Sequence, residues 1–378
     1  MRLYLFAIAS IVFFAVGASR CEAQCFDWKP GFTIPGVQGQ VVDQVEFDDG
    51  SGPALYVAGY MTVAEDLLVN GIARWDGQHW SAVGGGNPLT ASVRATALAV
   101  YDSGAGPTLY AAVTPVGVSV AVRLVRWNGS DWVYVYQMPY EITDLCVYDD
   151  GTGPALYVSL HDSSVNGGLR RWNGSTMSTI TLPAASFSSV DALCVFDDGS
   201  GPALHAAGYS LPGYHHVARW NGAQWTQLGG DINSKVNVLC VHDSGSGPEL
   251  FAGGSFSMIG GGVIKGIARW NGIQWVAVGG PVLDGTSPGE VRGLTSFDPG
   301  TGPRLYACGW FTSVAGLPAV GIASWDGAAW YVLSSGLQYG IPISLGQFTR
   351  AAAPDCSSAE LSRARVGSAS RESLAGTE

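Results

Sequence analysis

The chain has 378 residues, and its 30 acidic and 19 basic side chains give a formal net charge of −11. This balance argues against nucleic acid or an anionic membrane surface as a partner, because both are bound through basic surfaces. Charged residues make up 13% of the chain and 53 residues are glycine. Such a composition suits tight turns and buried strands better than solvated helices. The 47% of apolar residues suffices for a core and excludes general disorder.

Residues 1–23 have the composition of a secretory signal peptide. Arg2 precedes a 16-residue apolar stretch, and cleavage after Ala23 or after Ala18 would satisfy the preference for small residues. The stretch is short for a membrane anchor, which needs about 20 apolar residues. We therefore predict an exported chain, secreted, periplasmic or held at the cell surface, with no membrane insertion once the signal is removed.

One sequence unit is repeated six times at intervals of about 50 residues. Each copy has an apolar run that ends in Asp, a turn that ends in Gly-Pro, an apolar run around Leu-Tyr, a gap, and a segment resembling Ile-Ala-Arg-Trp-Asn-Gly-x-x-Trp. The residues repeated in the last segment, which we expect to be structural, are Arg74, Trp75, Trp80, Arg126, Trp127, Trp132, Arg171, Trp172, Arg219, Trp220, Trp225, Arg269, Trp270, Trp275, Trp325 and Trp330.

Each repeat predicts four short strands, A to D. In the second copy they lie around residues 97–101, 108–112, 122–127 and 132–136, where β-branched and aromatic residues concentrate. An Asn-Gly or Asp-Gly pair separates strands C and D in every copy, and such pairs favour a type I′ hairpin. A four-stranded antiparallel unit repeated radially is a β-propeller blade, so the predicted fold is all-β, a propeller over residues 24–348.

The repeat resembles a kelch-type blade in its Val-Tyr-Asp, Leu-Tyr-x-x-Gly and spaced Trp pair. It also resembles secreted bacterial propeller proteins with Asp-Gly-Ser-Gly-Pro turns. The kelch glycine doublet is complete only at Gly253-Gly254. The resemblance implies the propeller architecture and leaves the function open, because propellers host many functions.

The sequence is compatible with a ring of six or of seven blades. Residues 26–34 resemble a lone strand D, so the N-terminal segment could complete a blade begun near the C-terminus. Aromatic residues and glycine-rich turns stop after residue 348, and we expect 349–378 to be a disordered tail.

Cys146, Cys194 and Cys240 occupy one slot of strand A in three consecutive copies, where another copy has Ala99. A slot that accepts alanine is a small buried position, so we expect free thiols there. Cys25, Cys308 and Cys356 are then the cysteines left to form a disulfide in the mature chain.

The connections differ in length between copies at one end of the blades. The A–B and C–D turns keep nearly fixed lengths, whereas the B–C and D–A connections vary. Because binding residues concentrate on variable loops over a rigid scaffold, we expect a ligand at the B–C/D–A end. The candidate ligand-binding residues there are Tyr60, Tyr140, His161, Tyr209, Tyr214, His215, His216 and Trp310. Packing of the rim is the alternative role for Tyr60, Tyr209 and Trp310.

Two further repeated features favour structural roles. The arginine before the first Trp of five copies is expected to pair with the Asp that ends strand A, bracing the turns. The Asp-Asp-Gly-Ser-Gly turns have a faint likeness to calcium loops, but Pro53 follows the first of them at once and Ser103 replaces the second acid of the next. We therefore expect no metal and no cofactor. His205 and His242 replace aromatic residues of the repeat and should be packed in the core.

The sequence contains no Walker loop, no His-Glu-x-x-His and no Cys-x-x-Cys. The leading hypothesis is a secreted, monomeric, non-enzymatic propeller that binds a glycan or a cell-surface protein through its B–C/D–A loops. One alternative is an exported polysaccharide hydrolase or lyase with its site at the same end, where Glu65 and neighbouring acids could act. A structural surface protein without a discrete ligand is the other.

Overall fold

The computed structural model describes residues 11–16, 37–65, 67–84, 93–116, 122–162, 168–182, 189–209, 217–333, 344–350 and 365–366. The described residues form strands, turns and irregular connections. No helix among them is long and apolar enough to cross a membrane.

Six antiparallel sheets follow one another along the chain, each with strands A to D in sequential order, and Leu67–Leu68 adds a fifth strand to the first of them. Each is one copy of the sequence repeat, which confirms the propeller prediction. We number these sheets blades 1 to 6. Strands A to D are Val37–Asp48, Pro53–Ala64, Ile72–Trp75 and Trp80–Ala82 in blade 1, and Val93–Asp102, Pro107–Pro115, Val122–Trp127 and Trp132–Met138 in blade 2. They are Ile142–Asp149, Pro154–Leu160, Leu169–Trp172 and Met177–Thr179 in blade 3, and Ser189–Asp197, Pro202–Tyr209, Val217–Trp220 and Trp225–Gln227 in blade 4. They are Val236–Asp243, Pro248–Gly254, Ile267–Trp270 and Trp275–Ala277 in blade 5, and Glu290–Phe297, Arg304–Trp310, Ile322–Trp325 and Trp330–Val332 in blade 6.

The A strands of consecutive blades pack against one another, so strand A is the inner strand of each blade. Strand B is buried along nearly its whole length between strands A and C; in blade 3, for example, all residues from Ala155 to Leu160 are buried. This burial explains why strand B reads as a continuous apolar run in the sequence.

The ring is completed by a segment near the C-terminus. Strand Leu345–Arg350 contacts strand A of blade 6 and strand A of blade 1. It pairs in parallel with Ile11–Val16, which also pairs with Arg365–Val366. A seventh inner strand therefore lies between the last and the first repeat. The other residues of the predicted signal peptide, residues 26–34 and most of the predicted tail lie outside the described residues.

Three of the B–C connections contain the same small hairpin, although the lengths of these connections vary among the six copies. Gly59–Gly71, Gly254–Gly266 and Gly309–Gly321 each enclose eleven residues. In each, the first glycine N–H donates to the carbonyl of the second, at 2.9 to 3.1 Å. The tips are tight turns in which Glu65, Gly260 and Ala315 adopt positive φ angles of 53°, 56° and 50°. Blades 1, 5 and 6 thus share a rigid, locally hydrogen-bonded extension.

Candidate functional site

Six residues occupy the same position of the repeat, seven residues after the proline of the Gly-Pro turn. These six residues, here called the outer ring, are Tyr60, Thr114, His161, Tyr209, Ser255 and Trp310. The three aromatic members are 36%, 45% and 50% exposed. Tyr60, His161, Tyr209 and Trp310, four of the candidate ligand-binding residues, therefore share one position of the repeat.

A second ring is formed by residues near the start of strand A, each next to the outer-ring residue of its own blade. Gln40 faces Tyr60 across the sheet, Ser189 faces Tyr209, and Glu290 faces Trp310. The complete inner ring is Gln40, Arg94, Glu141, Ser189, Lys235 and Glu290. Every member is polar and directly precedes a buried apolar residue. We call the two rings together the mouth.

The remaining predicted residues lie beside the rings or outside the description. Tyr140 is 38% exposed and precedes Glu141 of the inner ring. Tyr214, His215 and His216 lie outside the described residues. Asp162 and Phe311 belong to the same loops but are buried, at 2% and 3% exposure, because Asp162 faces Arg170 and Phe311 packs in the blade core.

Charges at the mouth are paired between neighbouring blades. The Arg94 guanidinium lies over the Tyr60 ring, 5.2 Å from its centre. Lys235 Nζ lies 3.2 Å from Asp191 Oδ1. Burial raises the pKa of the Tyr60 phenol, the charge of Glu141 adds to the rise, and Arg94 opposes it. Side chains from blades 1, 2 and 3 therefore share one electrostatic environment.

The carboxylate beside Trp310 is held by two partners. Arg292 donates to Glu290 Oε2 at 3.0 Å, and the Asn237 amide donates to Glu290 Oε1 at 3.2 Å. The same amide also donates to the Val291 carbonyl at 2.9 Å. A half-exposed indole thus lies next to a fixed carboxylate and a fixed guanidinium.

A β-bulge at one level of every strand A positions the inner ring. Thr96 Oγ1 donates to the Ile142 carbonyl at 2.7 Å, and Thr143 Oγ1 donates to the Val190 carbonyl. The bulge side chains Asp191 and Asn237 likewise contact the next blade, at Lys235 and at the Val291 carbonyl. The bulged residues are Val42, Thr96, Thr143, Asp191, Asn237 and Arg292.

Two carboxyl groups are enclosed just below the bulges, although their residues keep some exposed surface. Asp43 accepts the Leu98 N–H at 2.6 Å, and Asp144 accepts the Leu193 N–H at 2.7 Å. Burial raises the pKa of Asp43 to about 6. Burial and, after it, the charge of Asp43 raise the pKa of Asp144 to about 7.

At the opposite end, the repeated arginine pairs with a different acid from the one predicted. Arg171 lies 3.1 Å from Asp150 and Arg219 lies 3.5 Å from Asp198, both of them the second acid of the turn. The first acid instead accepts turn N–H groups; Asp149, for example, accepts those of Gly151 and Gly153. The first carboxylate is therefore already used by the backbone. The arginine braces the turn through the second acid in blades 1, 3 and 4, whereas Arg269 of blade 5 binds Glu249 at 2.7 Å.

The thiols and imidazoles of the repeat lie in the packed interior. Cys146, Cys194, Cys240 and Cys308 are free among the described residues. Burial raises the pKa of Cys194 and of Cys240 to about 12, which favours the unreactive thiol form. His205 and His242 are buried. In the described part of the chain, no three His, Cys, Asp or Glu side chains are grouped so as to hold a metal.

None of the candidate ligand-binding residues named from the sequence belongs to the inner ring. A usable signal exists, because aligning the copies shows a polar residue directly before an apolar residue at this position of strand A. Its members differ from copy to copy, from Arg94 to Glu290, whereas structural residues of the repeat recur.

No protein-family model matches the chain, and no match was found among the curated proteins. The kelch resemblance therefore stays a prediction. Among solved structures, the chain is similar to the SapL1 lectin in complex with α-methyl fucoside, with 16% identity and a TM-score of 0.38 over 82% of this chain and 97% of that one. It is also similar to AofleA from Arthrobotrys oligospora, with 15% identity and a TM-score of 0.40 over 79% and 86% of the two chains. The chain is similar as well to BBS1N in complex with ARL6DN, with 14% identity and a TM-score of 0.40 over 71% of this chain and 76% of that one. The fold assignment rests on the sheet topology described above.

Proposed function

We propose that the chain is an exported carbohydrate-binding β-propeller whose binding site is the mouth. The observation that carries the proposal is the pairing of exposed aromatic rings with fixed polar groups, seen best at Trp310 and Glu290. A sugar presents C–H groups on one face and hydroxyl groups at its edge. An aromatic face with hydrogen-bonding neighbours complements both.

The arrangement of the mouth supports binding without large rearrangement. Inter-blade bonds hold the bulges, and hairpins of fixed geometry flank the ring in blades 1, 5 and 6. A preformed site loses little conformational entropy when it binds. The inner-ring carboxylates can accept hydrogen bonds from sugar hydroxyl groups, and the guanidinium and ammonium groups can donate to them. The mouth therefore offers both acceptors and donors.

The test is glycan binding by the full chain, measured by array and then by calorimetry. We expect Trp310→Ala to weaken binding about tenfold or more, because it removes the most exposed of the three aromatic rings at the mouth. Ile273→Ala is the matched control, since Ile273 is an exposed apolar residue, at 83%, on the C–D turn at the opposite end. Equal binding by both variants, or no glycan bound by the chain, would reject the proposal and favour a protein partner or a structural role.

Export is tested separately. The proposal requires that the mature chain be found outside the cytoplasm with residues 1–18 or 1–23 removed. N-terminal mass spectrometry of the native protein measures this, and an intact Met1 in a cytoplasmic fraction would contradict it.

A further inference from the structure

At three of the five boundaries between consecutive blades 1 to 6, a glycine after strand D covers the tryptophan pair of the next blade. Gly84, Gly229 and Gly279 each follow the first residue of their strand D by four positions and adopt positive φ angles between 64° and 80°. A methyl group on any of them would come within 2.9, 2.6 and 2.9 Å, respectively, of an indole ring of the following blade. The backbone therefore lies flat against the tryptophans at these three boundaries.

The covered tryptophans are buried and hydrogen-bonded in a constant way. Trp132, Trp275 and Trp330 are 2% to 5% exposed. Each indole N–H donates to the carbonyl just before the covering glycine, at 3.1, 2.8 and 2.9 Å. This contact, here called the standard boundary, joins blades 1 and 2, blades 4 and 5, and blades 5 and 6, whereas Tyr136 replaces the glycine between blades 2 and 3.

The boundary between blades 3 and 4 departs from this standard. Thr181 occupies the position of the covering glycine, four residues after Met177 at the start of strand D. Its side chain prevents the flat contact. The Trp225 N–H accordingly donates to the carbonyl of Thr181 itself, at 3.0 Å, one residue further along the chain. Trp220 and Trp225 are both partly exposed as a result.

A cavity of about 540 Å³ opens at this boundary. The two indole rings line it together with Thr179, Thr181, Ala223 and Gln224. All of the described residues that line it are uncharged, in contrast to those of the mouth. Its volume lies within the range of about 300 to 1,000 Å³ that is usual for small-molecule sites. The cleft lies between the residues that follow strand D of blade 3 and the C–D turn of blade 4.

We propose that this cleft is a second binding site, specific for an uncharged sugar ring. The exposed indoles supply an apolar platform, the threonine hydroxyls can donate or accept, and the Gln224 amide can do both. The lack of charge among these residues disfavours sialic or uronic acids, because a buried carboxylate would find no partner. The inference is independent of the function proposed for the mouth.

The test is ¹⁹F NMR of the full chain labelled with 5-fluorotryptophan, with the Trp225 signal assigned through Trp225→Phe. The probes are methyl α-fucoside, methyl β-galactoside, methyl α-glucoside, methyl α-mannoside and N-acetylglucosamine, each up to about 10 mM, which detects millimolar binding. At least one neutral sugar is expected to shift the Trp220 and Trp225 signals, while glucuronic acid leaves them unchanged.

Two variants and their counterparts in blade 5 separate binding from folding. Gln224→Ala should weaken the sugar about fivefold or more, and Ala223→Phe, which fills the cleft from its edge, should abolish the shift. Gln274→Ala and Ile273→Phe, at the matching positions of the next blade, should leave it unchanged. No shift with any neutral sugar, or a shift that survives Ala223→Phe, would overturn the proposal. Trp310→Ala at the mouth should not affect these signals, so failure of one site is distinguishable from failure of the other.

Discussion

The hydroxyl of Ser344 donates to the carbonyl of Val41, 3.4 Å away and 303 residues earlier in the chain. The same contact joins Thr96 to Ile142 and Thr143 to Val190 between consecutive blades. Ser344 therefore stands where the bulge residue of a preceding blade would stand. Strand Leu345–Arg350 follows directly, so the segment acts as the inner strand of a seventh blade.

Removal of this segment should destabilise the ring. A chain that ends at residue 343 leaves blades 1 and 6 without the strand between them and exposes their apolar contacts to water. We expect its melting temperature to fall by about 5 °C or more relative to a chain that ends at residue 350. Differential scanning calorimetry measures the difference. Equal melting temperatures would mean that the ring closes through six blades alone.

The covering glycine at a standard blade boundary should resist substitution. In Gly229→Ala the new methyl group would lie 2.6 Å from Trp275 Cδ1, a contact that real Cβ atoms do not show. We expect the free energy of unfolding to fall by about 3 kcal/mol, from a clash added to an unfavourable φ.

Gly260→Ala is the matched control for this substitution. Gly260 also has a positive φ, but a methyl group there would meet open space, with its nearest neighbour at 3.9 Å. Its cost should be about 1 kcal/mol, since only the backbone preference is affected. Urea unfolding of the two variants gives the comparison, and equal losses would show that the indole contact does not determine the boundary.

The strands and their order could be predicted because they depend on local patterns. Strand C of the second copy was expected at 122–127, as observed, and strand A at 97–101 lies inside the observed Val93–Asp102. The extra length of strand A could not be predicted, since its first residues cross the bulge and owe their position to bonds with the next blade, such as Thr96 to Ile142.

The site was predictable only in part for a related reason. Tyr60, Tyr209 and Trp310 share a sequence slot and an exposed position, so comparing copies located them. Arg94 and Glu141 act on Tyr60 from two other blades. Contacts of that kind depend on the packing of the ring, and no spacing within one repeat encodes them.

The enclosed carboxyl groups should lower stability as the pH rises. Asp43 and Asp144 keep their protons to about pH 6 and pH 7 in the folded chain, against a normal pKa of 3.8. The folded state therefore binds more protons between these values, and its stability is greatest below 3.8 and declines as the pH passes the folded pKa values. Asp43 contributes roughly 3 kcal/mol and Asp144 roughly 4 kcal/mol to this change.

Carboxyl ¹³C NMR of the aspartates should show two titrations with midpoints near pH 6 and 7. Asp144→Asn should remove the upper titration, and Asp43→Asn should lower the midpoint of Asp144, because the charge of Asp43 contributes to the raised pKa of Asp144. Asp131→Asn, at an exposed turn position, is the control and should leave both titrations in place. Titration of both groups near their normal pKa would contradict the buried position of these carboxyl groups.

His205 should produce the opposite pH dependence. It is fully buried, and burial lowers its pKa from 6.5 to about 4. The unfolded chain binds this proton below pH 6.5 while the folded chain does so only near pH 4. Stability from this residue is therefore complete above pH 6.5 and is lost as the pH falls to 4, by roughly 3 kcal/mol.

Replacing His205 by tyrosine should remove that loss of stability at low pH and add a hydrogen bond. In the matching slot of blades 1 and 3, Tyr56 donates to Asp49 at 2.8 Å and Tyr157 donates to Asp150 at 2.9 Å. His205→Tyr places a hydroxyl near the equivalent Asp198, so we expect a gain of about 1 kcal/mol at pH 7. Urea unfolding at pH 7 and pH 4.5 should show a smaller difference for this variant than for the parent chain. His79→Gln, at an exposed turn, should keep the parent's difference, and an unchanged difference in His205→Tyr would assign the acid loss to other groups.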